Sequence, residues 1–283
     1  MNSVEHLEQG SDSWREWRRQ FRMASETPAV TRRSPYQNWE GLRKVKRGED
    51  IQNNWILQHG HDFEPVARAY AAAETGLMFT PVIVQDGEYG ASLDGLDGKS
   101  IVEIKCPATG RRSKTWQMAE QGLIPSHYDD QIIHQLAVSG AELCYFTVFD
   151  SESGKGIIIE RRPDESAWKS IQKQWDEFWP WHLTDDPDPA KDMRKDKPWR
   201  EAAELYVSAK RIADQFAKMA EQHRARLIEL AGGVPSVGAG VNVSLVNKNG
   251  SIDYKAALLK FAPDADLEAF RKKATQETRV TIL

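Results

Sequence analysis

The stretch "SLDGLDGKSIVEIKCP", residues 92–107, decides how this chain is read. Two runs of strand-forming residues flank a turn rich in glycine, so they read as adjacent antiparallel strands that bring Asp94 and Glu103 together. Glu103 and Lys105 lie two positions apart, on one face of a strand, with Ile104 turned to the opposite, apolar side. Two neighbouring carboxylates repel unless a cation lies between them, and a hard divalent metal is the usual occupant of an oxygen-lined site. A lysine beside such a metal can orient an attacking water or take its proton. The spacing alone is equally compatible with a surface salt bridge between Glu103 and Lys105, leaving Asp94 as a turn residue.

The rest of the chain bounds this choice. Its 283 residues carry a net charge of −4, with 40 % hydrophobic and 28 % charged residues. That is the composition of a globular protein of one large domain or two smaller ones. Apolar runs such as "PVIV" (81–84) and "GIIIE" (156–160) fall far short of the roughly 20 residues of a membrane span. The first residues lack a basic-then-apolar export signal, so a cytoplasmic location is expected. Cys106 and Cys144 read as free thiols of a reducing compartment. The negative net charge argues weakly against a nucleic-acid partner. Residues 15–47 nevertheless hold 10 Lys and Arg against 3 Asp and Glu, with Trp17, Phe21, Tyr36 and Trp39 among them and Trp14 just before. They form either a solvated amphipathic segment or a surface that faces a polyanion.

Residues 59–76 predict a helix ended by Gly76. Pro65 is tolerable only in the first turn of that helix, which puts Glu64 near its N-terminus, as a dipole-stabilised acid or a further metal-holding carboxylate. His59 and His61 lack the third ligand of a zinc site. Three strand-like runs between Met78 and Pro107 predict an antiparallel meander. Residues 126–140 have helical spacing and end at Gly140. "LCYFTVFD" (143–150) and "KGIIIERR" (155–162) read as a hairpin, and residues 164–183 as a helix. The proline-rich stretch 185–198 is the expected linker between a domain at 1–184 and a region at 199–283. That region begins with a long amphipathic helix to Ala231. A hairpin around Asn249-Gly250, a helix near 264–274 and a last strand, "TRVTIL", follow.

The motifs fall into a known order. "WREWRRQFRMAS" (14–25), "GHDFE" (60–64), "SLDG" (92–95), "VEIKCP" (102–107) and "YDDQIIHQLAVSG" (128–140) together resemble the YqaJ-type viral recombinase and phage lambda exonuclease family, within the PD-(D/E)XK nuclease superfamily. The resemblance covers about residues 14–180 and leaves 199–283 outside it. It implies an α/β fold with a central mixed β-sheet flanked by helices, followed by a helical arm and a small α+β appendage.

Residue by residue, it implies that Asp94, Glu103 and the Ile104 carbonyl hold metal, that Lys105 is the catalytic lysine, and that Glu64 is the helix acid behind the metal. Gln131, three residues after Tyr128, matches the glutamine beside the site. Gln135 matches less directly, because Ile133 interrupts the family's usual glutamine run. Arg18 and Ser25 match the pair that receives a terminal 5′-phosphate, with Ser92 placed to help. The implied cofactor is Mg2+, as two ions, with Mn2+ able to substitute. The implied activity is 5′→3′ digestion of linear double-stranded DNA, leaving 3′ single strands for phage-type recombination in a bacterial cytoplasm. The implied partners are duplex DNA ends, further copies in a trimeric ring, and a single-strand annealing recombinase. A structure-selective or restriction-type endonuclease, and an inactive DNA-end-binding protein, are the alternatives.

Overall fold

The computed structural model describes residues 2–4, 7, 9–49, 55–189, 196–246 and 260. The turn expected at Asn249-Gly250, the helix near 264–274 and the last strand lie outside these residues. Strand β1 (Asn2–Ser3), helix α1 (Asp12–Gln20), strand β2 (Arg22–Met23) and helices α2 (Thr27–Val30) and α3 (Trp39–Lys46) precede the long helix α4 (Trp55–Thr75). The meander follows as β3 (Thr80–Asp86), β4 (Tyr89–Asp97) and β5 (Ser100–Lys105). Helices α5 (Lys114–Glu120) and α6 (Ser126–Ser139), strands β6 (Leu143–Asp150) and β7 (Lys155–Arg161), and helix α7 (Glu165–Trp181) come next.

The sheet runs β1-β3-β4-β5-β6-β7, with β2 alongside β4. β5 and β6 are parallel, so the chain must cross over between them, and α5 and α6 are that crossover. Ile132 and Leu136 of α6 pack on one face, with Leu93, Ile101, Phe146 and Val148. Ala67 and Ala71 of α4 pack with Phe79, Val102, Ile104 and Phe149. The alternation read from the sequence therefore holds, with Ile104 toward α4 and Glu103 toward α6. Because both faces of β5 are covered, Glu103 is only 1 % exposed, a buried charge rather than a surface one. Gly95 is required where β4 meets Phe79, since an added Cβ would lie 2.5 Å from the Phe79 Cβ. Gly140 ends α6 with φ of 66°, in the left-handed cap conformation.

One expectation needs correction. α4 begins at Trp55, so Pro65 lies inside it and Glu64 sits mid-helix rather than near the start. Pro65 gives up one backbone bond to the preceding turn, but its ring is exposed, and the helix is anchored by the packing of Ala67 and Ala71. In the second compact unit, Phe216–Leu283, strand β9 (Val241–Val243) pairs antiparallel with β8 (Ser236–Gly238). The turn between them is Ala239-Gly240, with φ of 47° and 79°, the paired positive angles that suit a two-residue hairpin.

Helix α8 (Lys197–Ala231) follows the expected linker, and its residues through Gln215 belong to the first compact unit, Met1–Gln215. Within that unit the Arg211 guanidinium is buried and donates to Asp129 Oδ2 and Asp130 Oδ1, each at 2.7 Å. Arg161 donates to Asp129 Oδ1 at 2.7 Å, and Arg33 to Asp130 at 2.8 Å. Burial works against both carboxylates, yet Arg161 and Arg211 at Asp129, and Arg33 and Arg211 at Asp130, outweigh it and hold both below the usual carboxylate range. Removing one partner of a buried pair leaves an uncompensated charge. Arg211→Ala should therefore lower unfolding free energy by about 3–5 kcal/mol in denaturant titration. A loss below about 1 kcal/mol, the scale of a surface pair, would contradict this ion network.

Candidate active site

β4 and β5 pair with Gly95 opposite Val102 and Leu96 opposite Ile101, which sets Asp94 beside Glu103 as the ladder ends. Asp94 Oδ2 accepts the Ile104 amide at 2.7 Å. Glu103 is held at both oxygens from α6: Gln131 Nε2 donates to Oε1 at 2.8 Å and Gln135 Nε2 to Oε2 at 2.6 Å. Those glutamines are four residues apart and so share a helix face. Lys105 pairs with Glu103 Oε1, and its amine lies 4.8 Å from the centroid of the Tyr128 ring. Glu64 reaches the same place differently, through an ion pair with Arg68 one turn along α4. Arg68 in turn donates Nε to the Asp94 carbonyl at 2.6 Å. The sequence reading had not picked out Arg68; its only signal was the acid-to-base spacing of four in "EPVAR".

The electrostatics are unbalanced toward negative charge. Burial pushes the Asp94 carboxyl well above the usual carboxylate range, and Glu103 and then Glu64 push the same way, against Lys105. Burial also disfavours the Lys105 charge, but Glu103 first, then Tyr128 and Asp94, outweigh it and raise the amine above its ordinary value. Among the described residues no three His, Cys, Asp or Glu side chains form a ligand cluster by themselves. A cation here would thus rest on Asp94, Glu103 and a backbone oxygen such as that of Ile104, with Glu64 behind. This oxygen donor set, with its surplus of negative charge, fits a hard divalent ion.

A second cluster forms around α1. Arg18 lies 4.5 Å from the centroid of the Trp14 ring and donates Nη2 to Ser25 Oγ at 3.0 Å and to Glu26 Oε1 at 3.5 Å. Trp14 Nε1 donates to Ser92 Oγ at 3.1 Å. Arg18, Ser25 and Ser92 are thereby gathered, with Trp14 as the bridge that the sequence reading had named only as a nearby aromatic. Behind them the buried Lys46 ammonium binds Glu26 Oε2 at 2.5 Å and the carbonyls of Arg18 and Phe21 at 2.7 and 2.6 Å. Ser92 and Asp94 are two residues apart on β4, so the clusters stand on one strand about 7 Å apart. His59 is outside both, bonded to Ser151 and tilted at 45° against the Phe63 ring.

Many cations of the basic stretch 15–47 are engaged in pairs within the chain. Arg22 pairs with Asp176 and Glu88, and Arg32 with Asp188. Arg47 pairs with Asp185, and Arg43 donates to the carbonyls of Thr184 and Asp186. Both cysteines are free, and burial pushes the Cys106 thiol up to about 12. No helix among the described residues is long and apolar enough to cross a membrane.

Comparison with known proteins agrees with this architecture. Residues 13–142 match the family described as the YqaJ-like viral recombinase domain. The alkaline exonuclease LHK-Exo from Laribacter hongkongensis is similar with a TM-score of 0.52 and 22 % identity, over 73 % of this chain and 100 % of that one. LHK-Exo in complex with dAMP is similar with a TM-score of 0.53 and 24 % identity, over 61 % of this chain and 93 % of that one. These likenesses show a shared fold, a mixed sheet flanked by helices. No curated protein matches.

The raised Asp94 has a measurable consequence. Its folded-state value lies above the unfolded one, so the ionised carboxylate costs stability at neutral pH. That cost is relieved as pH falls through the folded value toward the unfolded value near 4. In chelator, Asp94→Asn should melt higher than the parent at pH 7.5, with the gap narrowing on acidification. A lower melting temperature for the variant at pH 7.5 would contradict the electrostatic reading.

Proposed function

We propose that this chain, whose residues 13–142 belong to the YqaJ-like viral recombinase family, is a Mg2+-dependent 5′→3′ exonuclease of linear double-stranded DNA. One observation carries the reading: an acid pair, Glu103 buried and Asp94 half-buried, with an adjacent lysine lies one strand step from a cationic cluster suited to a terminal phosphate. Bound Mg2+ would supply charge stabilisation at the phosphoryl group and an acidified water. The protein's part is to hold the reactants. Gln131 and Gln135 fix both oxygens of Glu103, so its carboxylate is oriented before substrate arrives. Lys105, held protonated by Glu103, presents an ammonium to the developing negative charge and aligns the attacking water.

Arg18 and the Ser25 hydroxyl are the donors for the terminal 5′-phosphate, and the Ser92 hydroxyl lies between them and Asp94. With the terminal phosphate held there, the next phosphate along the strand reaches the acid pair. Digestion then proceeds inward from the 5′ end and leaves a 3′ single strand. In this proposal the chain acts as a ring-shaped homo-oligomer with a single-strand annealing recombinase as partner, in a bacterial cell carrying the phage or prophage.

With Mg2+, the purified protein should digest linear duplex and release nucleotides from 5′-labelled ends first, leaving closed circles intact. Lys105→Ala should lower turnover by at least about 100-fold. Arg18→Ala should act on the end preference, reducing kcat/KM for 5′-phosphorylated over 5′-hydroxyl ends by roughly 10-fold or more, the worth of a charged hydrogen bond. Cleavage of closed circles at a comparable rate would instead favour an endonuclease, and an unchanged end preference would remove Arg18 from phosphate binding.

A further inference from the structure

Tyr36 is the most exposed aromatic side chain among the described residues, at 78 %. Exposure of one aromatic is ordinary in itself. What distinguishes Tyr36 is how it is held. The Ser34 hydroxyl accepts from the amides of Tyr36 at 3.2 Å and Gln37 at 3.1 Å, and the Ser34 amide donates to the Pro28 carbonyl at 2.8 Å. Arg33, just before, is locked against the buried Asp130. Tyr36 neighbours Tyr128, the ring beside the Lys105 amine; burial first, and then Tyr36, raise the Tyr128 phenol. The Tyr36 ring meets that of His127 at 82°, with centroids 5.9 Å apart, and most of it is left to solvent. A flat ring is thus fixed at its backbone and braced by the His127 ring, one side chain away from the candidate catalytic lysine.

Its side of the site matters. Ser92 and Asp94 lie on β4, whereas Tyr128 packs on Phe146 of β6, across β5. Tyr36 therefore stands beyond the acid pair from the Arg18 cluster. On the Arg18 side the aromatic is Trp14, whose ring is already covered by the Arg18 guanidinium.

We propose that Tyr36 is a stacking platform for a nucleobase, the one on the nucleotide 3′ to the bond being cut. The proposal rests on the exonuclease reading above, which sets the direction of the strand. Every base has a π-face, so such a platform tolerates any sequence, as an end-digesting enzyme without sequence preference requires. A pre-fixed tyrosine also loses little conformational freedom when a base lands on it.

The test uses the full chain and a 5′-phosphorylated duplex with 2-aminopurine as its second nucleotide. In chelator, binding should quench the fluorescence with wild type and with Tyr36→Phe, and not with Tyr36→Ala. With Mg2+, Tyr36→Ala should lower kcat/KM by about 10-fold or more while Tyr36→Phe stays near wild type. An abasic second nucleotide should slow wild type by a similar factor and Tyr36→Ala no further. Equal losses in Tyr36→Phe and Tyr36→Ala would assign the effect to the Tyr36 hydroxyl rather than its ring and overturn the platform. So would wild-type digestion that is indifferent to the abasic nucleotide. Quenching without digestion by wild type would uphold the platform and refute the exonuclease reading, so the two failures are told apart.

Discussion

The Glu103 carboxylate, buried between a sheet and a helix, is the constraint on which the rest depends. A charge in that position is costly unless several hydrogen bonds and a cation meet it. Here Gln131 and Gln135 reach it from α6 and Lys105 from two residues further along its own strand. Meeting that cost fixes three things at once: the register of β5, the rotation of α6 about its axis, and the position of the lysine. The same arrangement leaves Asp94 in a field of like charge, which is a poor state for a metal-free carboxylate and a suitable one for a cation-binding site.

The rotation of α6 is secured a second time from outside. Asp129 and Asp130, immediately before Gln131, take buried arginines from β7 and α8 and the partly buried Arg33 from the segment after α2. Because successive residues of a helix point about 100° apart, pinning 129 and 130 on one side aims 131 and 135 on the other. The first part of α8 thereby contributes to holding the helix that holds Glu103, although α8 begins after the stretch expected as a linker.

Much of this was legible in the sequence because it is local. The strands at 92–107 announce themselves by alternation and Asp-Gly turns, and α6 by its spacing and the cap at Gly140. Arg18 and Ser25 were readable only through the order of motifs, and their link to Ser92 needed Trp14 in three dimensions. The start of α4 was misjudged because a rule about proline in isolation was applied to a helix held by tertiary packing. The arginine network was illegible for a different reason: Arg211 lies 82 residues from Asp129, and an acid pair in "YDDQ" carries no mark of its partners. Likewise the cations of residues 15–47 looked available because the acids that neutralise many of them, at 176, 185 and 188, come far later in the chain.

The central claim is that Asp94 and Glu103 form a divalent-cation site rather than a structural ion pair with Lys105. Titration of Mn2+ into the protein, followed by electron paramagnetic resonance of the free ion, tests it without reference to catalysis. The account requires saturable uptake by the parent protein that is abolished in both Asp94→Asn and Glu103→Gln. Uptake that persists unchanged in those variants, or none in the folded parent, would contradict it.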